Sequence, residues 1–383
     1  MLKIQLAFSI TFGSPNLFRH LINDCLSLLP PSGRRTVETA KFSVKDTILN
    51  LSLPSHIVRG KLSGELQEGS LVCFGDPNQY QTWISKFFMD TEPTLAHGLF
   101  QFFDILDLRK GLSSYDLALC PVNPLTETLF VHRGWFIIPR LLDCVIDLRK
   151  PLGEIFRSRG IKGKIRRLQK FHYTFKVMNG ELALEEFFHE MLLPTVANRH
   201  KETAYTSNLE VLKKKLRNGY LLGAYRNSEW VAADLVVRES NKTLRTANTG
   251  WRNGDVRLLK QNVSDALVFE LVKRAKRDEF RFLNLGNNLP FVDDGVLNYK
   301  IRWGADPVMP GVDIDSGKVH RARGFIAVRF NLASKSGKAM LHHNPLLQKH
   351  KKVLRAIGWD SPPRPCFRRQ IDRGLRWVDL AKT

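Results

Sequence analysis

Apolar and polar positions organise most clearly between residues 220 and 286. Tyr220-Leu221-Leu222-Gly223-Ala224-Tyr225 reads as a strand, Arg226-Asn227-Ser228-Glu229 as a turn, and Trp230-Val231-Ala232-Ala233-Asp234-Leu235-Val236-Val237 as the antiparallel partner. Thr243 to Gly250 supplies a third strand. Ser264 can then cap a helix in which Leu267, Leu271, Val272 and Ala275 share one face. Lys273, Arg274, Lys276 and Arg277 crowd its last turns, where cations complement the helix dipole. Phe280 to Gly286 follows as a buried strand ending in a loop. The expected fold class is α/β, a mixed sheet with flanking helices.

Upstream, over 41–150, short apolar runs such as Ser70 to Phe74 alternate with a helix-like Trp83 to Met89, which makes a first mixed α/β lobe. Residues 1–40 carry breakers, notably Pro30-Pro31-Ser32-Gly33-Arg34-Arg35, and read as a loosely attached leader. Residues 151–330 form the second lobe. Residues 331–383, rich in cations and interrupted by Pro362-Pro363-Arg364-Pro365, read as a basic C-terminal extension. The length of 383 residues suits two lobes, and 43% hydrophobic residues with 24 Phe suffice for a large core.

Charge adds a partner to this picture. The 59 Lys and Arg exceed the 37 Asp and Glu by 22, an excess that implies an anionic partner: nucleic acid, an anionic membrane face, a nucleotide-linked sugar or a phosphate-bearing cofactor. Residues 149–176 concentrate ten Lys or Arg against the single acid Glu154, either a solvated helix face or a band bordering a cleft between the lobes. The five cysteines are scattered without a Cys-x-x-Cys pair, and His189, His200, His342 and His343 lack metal-ligand spacing, so reduced thiols and no metal are expected. The apolar start, Ile4 to Ile10, is interrupted by Gln5 and lacks a small-x-small cleavage site. No run approaches the ~20 apolar residues of a spanning helix, so a cytoplasmic chain is expected, soluble or peripheral to an anionic membrane.

The run FRFLNLGNNLPFVDDGVLNYKIRWGADP (280–307) resembles the closing signature of GNAT-like acyltransferases related to the Fem-type peptidyl transferases and polysaccharide-associated acetyltransferases. Asn284-Leu285-Gly286, Tyr299-Lys300 and Trp303-Gly304 carry the resemblance. Phe188 to Pro194 with Asn198-Arg199-His200, and Gly250-Trp251, agree with it, so that it covers roughly residues 140–310. It implies two tandem GNAT-like lobes, the first degenerate, and transfer of an acyl or aminoacyl group to an amine of a cell-envelope or polysaccharide precursor. Such a transfer needs a neutral amine, a proton acceptor and oxyanion donors, and no protein nucleophile.

In acetyl-CoA-dependent members an Arg/Gln-x-x-Gly-x-Gly/Ala loop opens the helix and holds pyrophosphate. Here Arg252, Gly254 and Arg257 occupy that stretch with one glycine and a longer path, which leaves acyl-CoA and aminoacyl-tRNA both open as donors. The resemblance places Lys300 in the cleft, as a strand residue with Tyr299 on the opposite face, where its charge can meet a phosphate or an oxyanion. Asp294, beside Asp293, offers a proton acceptor or a turn; Asn287 and Asn288 offer donors or a loop closure; Trp303 offers stacking or packing. Arg166 and Arg167 of the basic band are the expected contacts to an anionic, phosphate-bearing substrate, with tRNA among the candidates. The competing reading is a non-catalytic nucleic-acid-binding protein that uses the band at 157–170 and the tail.

Overall fold

The computed structural model describes residues 52–64, 67–92, 94–106, 114–122, 126–200, 208–310, 324–350, 353–360, 367, 370–371 and 374–382. The leader expected over 1–40 lies outside them. The first half holds β1 (Ser52–Leu62), β2 (Glu68–Phe74), α1 (Gln81–Phe87), β3 (Phe88–Thr91), β4 (Leu95–Gln101), α2 (Phe102–Leu106), β5 (Leu117–Val122), α3 (Glu127–His132), β6 (Phe136–Pro139) and β7 (Leu142–Asp147). Then come α4 (Leu152–Ile155), α5 (Arg159–Gln169), β8 (Thr174–Met178), α6 (Glu181–Phe187), α7 (Leu193–His200) and α8 (Leu209–Leu216). The signature region contains β9 (Gly219–Arg226), β10 (Glu229–Ser240), β11 (Thr243–Trp251), α9 (Val256–Lys260), α10 (Val263–Arg277), β12 (Phe282–Asn288) and α11 (Gly295–Arg302). The chain closes with β13 (Asp306–Val308), β14 (Phe325–Phe330), α12 (Lys335–His343), β15 (Leu346–His350), β16 (Val353–Gly358) and β17 (Arg376–Asp379).

The hairpin, strand, helix, strand order is present as read. Asn227 and Ser228 both take positive φ, 49° and 65°, the geometry of a two-residue hairpin turn whose twist matches its strands. The second sheet runs β13-β7-β12-β11-β10-β9-β8, antiparallel except for the parallel β11–β12 pair, with α10 as the crossover. This is the mixed sheet with flanking helices expected from the sequence. Helix α10 begins at Val263, after Asn262 in the left-handed region (φ 63°), so Ser264 is its second residue and not its cap. Leu267, Leu271, Val272 and Ala275 are buried against the sheet as expected.

The first sheet runs β3-β1-β2-β5-β14-β6, with β4 also on β1. Two strands therefore change sides. β7 follows β6 directly in the chain, yet it lies between β12 and β13 of the second sheet, while β14 follows β13 yet lies between β5 and β6 of the first. Neither 150 nor 330 divides one sheet from the other, because the hydrogen-bonding edges left open by β5 and β6 are closed only by β14, and those of β12 and β13 only by β7.

The expected C-terminal extension is instead a wedge between the lobes. α12 buries Ala339, Met340 and Leu341, and β15-β16-β17 form a third sheet. One face of this sheet, with Leu347 and Ala356, joins the core of the second sheet; the other, with Leu346, Ile357 and Val378, joins the core of the first. Period-2 alternation inside a lysine- and arginine-rich stretch produces both faces. The loop after β12 enters the same seam: Phe291 packs edge-on against Trp83 and Phe87 at 5.1 and 5.6 Å between centroids. Asp294 pairs there with Lys86 of α1 at 3.0 Å. No helix among the described residues is long and apolar enough to cross a membrane.

The exchanged strands and the shared wedge make the two sheets one cooperative unit. Thermal unfolding followed by tryptophan fluorescence and by far-ultraviolet circular dichroism should therefore give one coincident transition. Phe291→Ala should lower stability by about 3–5 kcal/mol while keeping the transition single; two separated transitions would contradict the coupling.

Candidate active site

β11 and β12 are parallel and pair only over Thr243–Arg245 against Phe282–Asn284. At the fork, Arg245 reaches Asp143 of β7 at 3.0 Å and donates to Asn287 Oδ1 of β12. Beyond it β12 slips register against β7 between Asn284 and Asn287, and Gly286 takes φ 80°. A Cβ at Gly286 would stand 3.1 Å from Thr246 O, so conformation and proximity both select glycine. From Thr246 onward β11 keeps its pairing with β10 on one edge and has none with β12 on the other.

Lys300 sits at this opening but arrives on a helix. Asp294 Oδ1 accepts from the Val296 and Leu297 backbone N–H groups at 3.0 and 2.9 Å and starts α11, so the strand alternation of Tyr299 and Lys300 does not apply. Lys300 Nζ donates to Gly286 O and Asn287 O, both at 3.2 Å, and holds the bulge of β12. Burial pulls its pKa below the ordinary lysine value.

The opposite lip carries a group that the sequence reading passed over. Asp234, 2% exposed, lies mid-strand in β10 and pairs across to Thr249 of β11, whose Oγ1 donates to Asp234 Oδ1. Burial raises the Asp234 carboxyl to about 6, with the Thr249 hydrogen bond and the Lys300 charge opposing the rise. Tyr220 of β9, across from Val236, has a buried hydroxyl without a partner, pushed up to about 12 mainly by burial. The available signal was a lone acid inside the apolar run Trp230 to Val237.

The first turn of α10 is closed over. Asp265 accepts Lys164 Nζ at 2.7 and 2.9 Å and Trp303 Nε1 at 2.9 Å, and Lys164 also lies over the Tyr299 ring at 5.0 Å. α5 is thereby fixed on α10, with Ile161 and Leu168 buried beneath it and Lys162, Arg166, Arg167 and Lys170 exposed. Both buried anchors and the Lys164 partner belong to the second lobe; the exposed four form a solvated basic face.

The remaining sequence candidates are spent on the fold. Trp303 is fully buried, so it packs and does not stack on a ligand. Asp294 is a helix cap tied to Lys86, not a free base. Asn288 is buried and donates to Cys144 Sγ at 3.0 Å, while Asn287 stays exposed beside Arg245. Arg252 donates to Trp230 O and pairs with Glu186 at 2.6 Å. Gly254 is buried at φ 63° against α7, where a Cβ would stand 2.5 Å from Pro194 O. Arg257, its side chain 82% exposed, folds back onto Asp255. A carboxylate at the α10 N-terminus and a single buried glycine do not fit a CoA pyrophosphate cradle. Among the described residues no group of three or more His, Cys, Asp or Glu could hold a metal ion.

No protein-family model and no curated protein matches the chain. Solved structures are similar at low identity. A C-terminal domain from Agrobacterium fabrum, assigned to a lysylphosphatidylglycerol synthetase, is 10% identical with a TM-score of 0.37, over 75% of this chain and 83% of that one. L-PGS from Bacillus licheniformis is 15% identical with a TM-score of 0.35, over 73% and 82%. FemX is 12% identical with a TM-score of 0.36, over 75% and 90%. At these values the likenesses carry no statement about activity.

Two measurements follow from the geometry. Because the folded state raises Asp234, the stability linked to its proton is complete below the ordinary value of 3.8 and is lost as pH rises through about 6, a swing of about 3 kcal/mol. Asp234→Asn should remove this pH dependence and be the more stable form at neutral pH, as read by denaturant midpoints across the range. Lys300→Met orphans two carbonyls and should cost about 1–3 kcal/mol; an unchanged midpoint would detach Lys300 from the bulge.

Proposed function

We propose that the chain is an acyl- or aminoacyltransferase that passes its acyl group directly to an amine held where β11 and β12 part. The observation that carries this reading is the opening itself, with the Asp234–Thr249 pair on one lip and Lys300 on the other. The amine nitrogen attacks the acyl carbonyl carbon and the C–N bond forms. As charge gathers on the carbonyl oxygen, the third N–H of Lys300, not engaged by Gly286 or Asn287, is the donor available to it. The amine proton passes to Thr249 Oγ1 while the Thr249 proton moves to Asp234, whose value near 6 keeps it ionised at neutral pH. Collapse breaks the C–S or C–O bond to the donor, and the proton held on Asp234 returns through Thr249 Oγ1 to the departing sulfur or oxygen, which leaves as the thiol or hydroxyl while Asp234 is again ionised.

The misfit of a CoA pyrophosphate at α10 favours a donor anchored elsewhere, and the exposed face of α5 supplies the cations for one that carries many phosphates, such as aminoacyl-tRNA. The acceptor in this reading is the amine of a phosphate-bearing cell-envelope or polysaccharide precursor, met on the cytoplasmic side, with peripheral contact to an anionic membrane.

The test is a transfer assay with radiolabelled aminoacyl-tRNA and acyl-CoA against amine-bearing envelope precursors. Wild type should form product with one donor class. Thr249→Val and Asp234→Asn should each lower kcat about 100-fold with KM little changed, and the wild-type rate should rise through a pH near 6. Variants as fast as wild type would remove the pair from the reaction. Arg166→Ala with Arg167→Ala should weaken donor binding more at low salt than at high salt, with the melting temperature nearly constant. Salt-dependent oligonucleotide binding with no transfer from either donor would favour the nucleic-acid-binding reading instead.

A further inference from the structure

We infer that the third sheet carries a binding site for a phosphate-class anion, built on the cross-strand row Gln348, Arg355 and Arg376. Gln348 and Arg355 are register partners in β15 and β16, and Arg355 and Arg376 are register partners in the parallel pair β16 and β17. All three side chains stand on one face of the sheet, the face that places Leu346, Ile357 and Val378 in the first lobe's core. Gln348 is 5% exposed and its Oε1 accepts from Arg355 Nε at 2.9 Å, which fixes the guanidinium of Arg355 at the buried end of the row.

The charge balance of this row is incomplete. The two arginines are register partners on neighbouring strands, whose backbones run roughly 4.8 Å apart. Among the described residues no carboxylate pairs with either. Arg355 is half-buried, and burial, with the Arg376 charge adding to it, pulls its pKa below the ordinary arginine value. A partly desolvated cation beside a like charge is unfavourable until an anion joins it. A buried side-chain amide precedes β17 in the chain. Gln370, 4% exposed, accepts from the Leu375 N–H next to Arg376 through its main-chain oxygen, and neither atom of its side-chain amide has a partner. Buried amide atoms without partners are uncommon in a folded protein. Paired arginine forks match the oxygen spacing of a tetrahedral phosphate and tolerate no neutral substitute. The site is separate from the β11–β12 opening and does not rest on the transferase reading.

The full chain should be titrated with inorganic phosphate by calorimetry, with sodium chloride at matched ionic strength as the control. Saturable binding is expected for wild type and for Arg257→Gln, an exposed arginine elsewhere on the surface, and a loss of at least about tenfold for Arg355→Gln and for Arg376→Gln. Melting temperature provides a second reading that does not depend on Arg355→Gln folding well. Without phosphate, Arg376→Gln should melt no lower than wild type, since a repulsion is removed; with phosphate, wild type should rise and the variant should not. Vesicles of phosphatidylglycerol against phosphatidylcholine distinguish the source. Binding of phosphatidylglycerol vesicles abolished by both substitutions, without binding of free phosphate, assigns a lipid headgroup. Equal binding by all variants, or a response that chloride reproduces, would overturn the site.

Discussion

The exchange of β7 and β14 is the constraint on which the rest of the molecule depends. A strand needs hydrogen-bonding partners on both edges when both are buried, and β12 obtains one of its edges from β7. β12 leaves β11 after three register pairs but stays paired with β7 at Asn287 and Asn288, while Lys300 satisfies the carbonyls of Gly286 and Asn287 at the opening. The opening between β11 and β12 is thus made possible by a strand contributed from the other half of the chain. Asp294 extends the dependence, since the carboxylate that starts the helix of Lys300 is also held by Lys86 of the first lobe.

Polar groups inside this lobe are placed by opposition of charge and burial. Asp265 is matched by Lys164 and Trp303, so its carboxylate serves to bind α5 to α10 and occupies the helix terminus where an anion would otherwise be welcome. Among the described residues Asp234 has no cation within hydrogen-bonding distance and only the Thr249 hydroxyl as side-chain donor, and its proton affinity rises with burial. The same residue type thus takes opposite roles within one lobe: one a rivet, the other a titratable group kept at a cost to stability.

Much of the second sheet was legible in the sequence because its strands and helix are contiguous and strongly patterned. The Asn227-Ser228 turn, α10 and β12 all lie within one or two residues of the reading, and Lys300 does stand at the opening. Its helix was misread because Gly295 to Arg302 is short and follows a turn-like Asp-Asp-Gly, which is equally a capping sequence. The exchange was invisible for a different reason: which edge a strand joins is decided by partners more than a hundred residues away, and β7 and β14 look locally like any buried strand. In the C-terminal stretch the cations stand between apolar positions of period two, so net charge concealed two buried faces. Asp234 was not legible as a site because a single acid in an apolar run has no partner at motif spacing, and its Thr249 partner is set only by the β10–β11 register.

The exchange also sets an order of events on the ribosome. β5 and β6 emerge early, but the strand that lies between them, β14, is made about 190 residues after β6, which at 5–20 residues per second is a wait of roughly 10–40 s. Throughout that interval the first sheet has an unfilled slot bounded by two apolar edges, the geometry most prone to capture a foreign strand. The nascent chain would therefore depend on holding chaperones for its first lobe specifically, and a translational pause before residue 325 would be more harmful than one after residue 330.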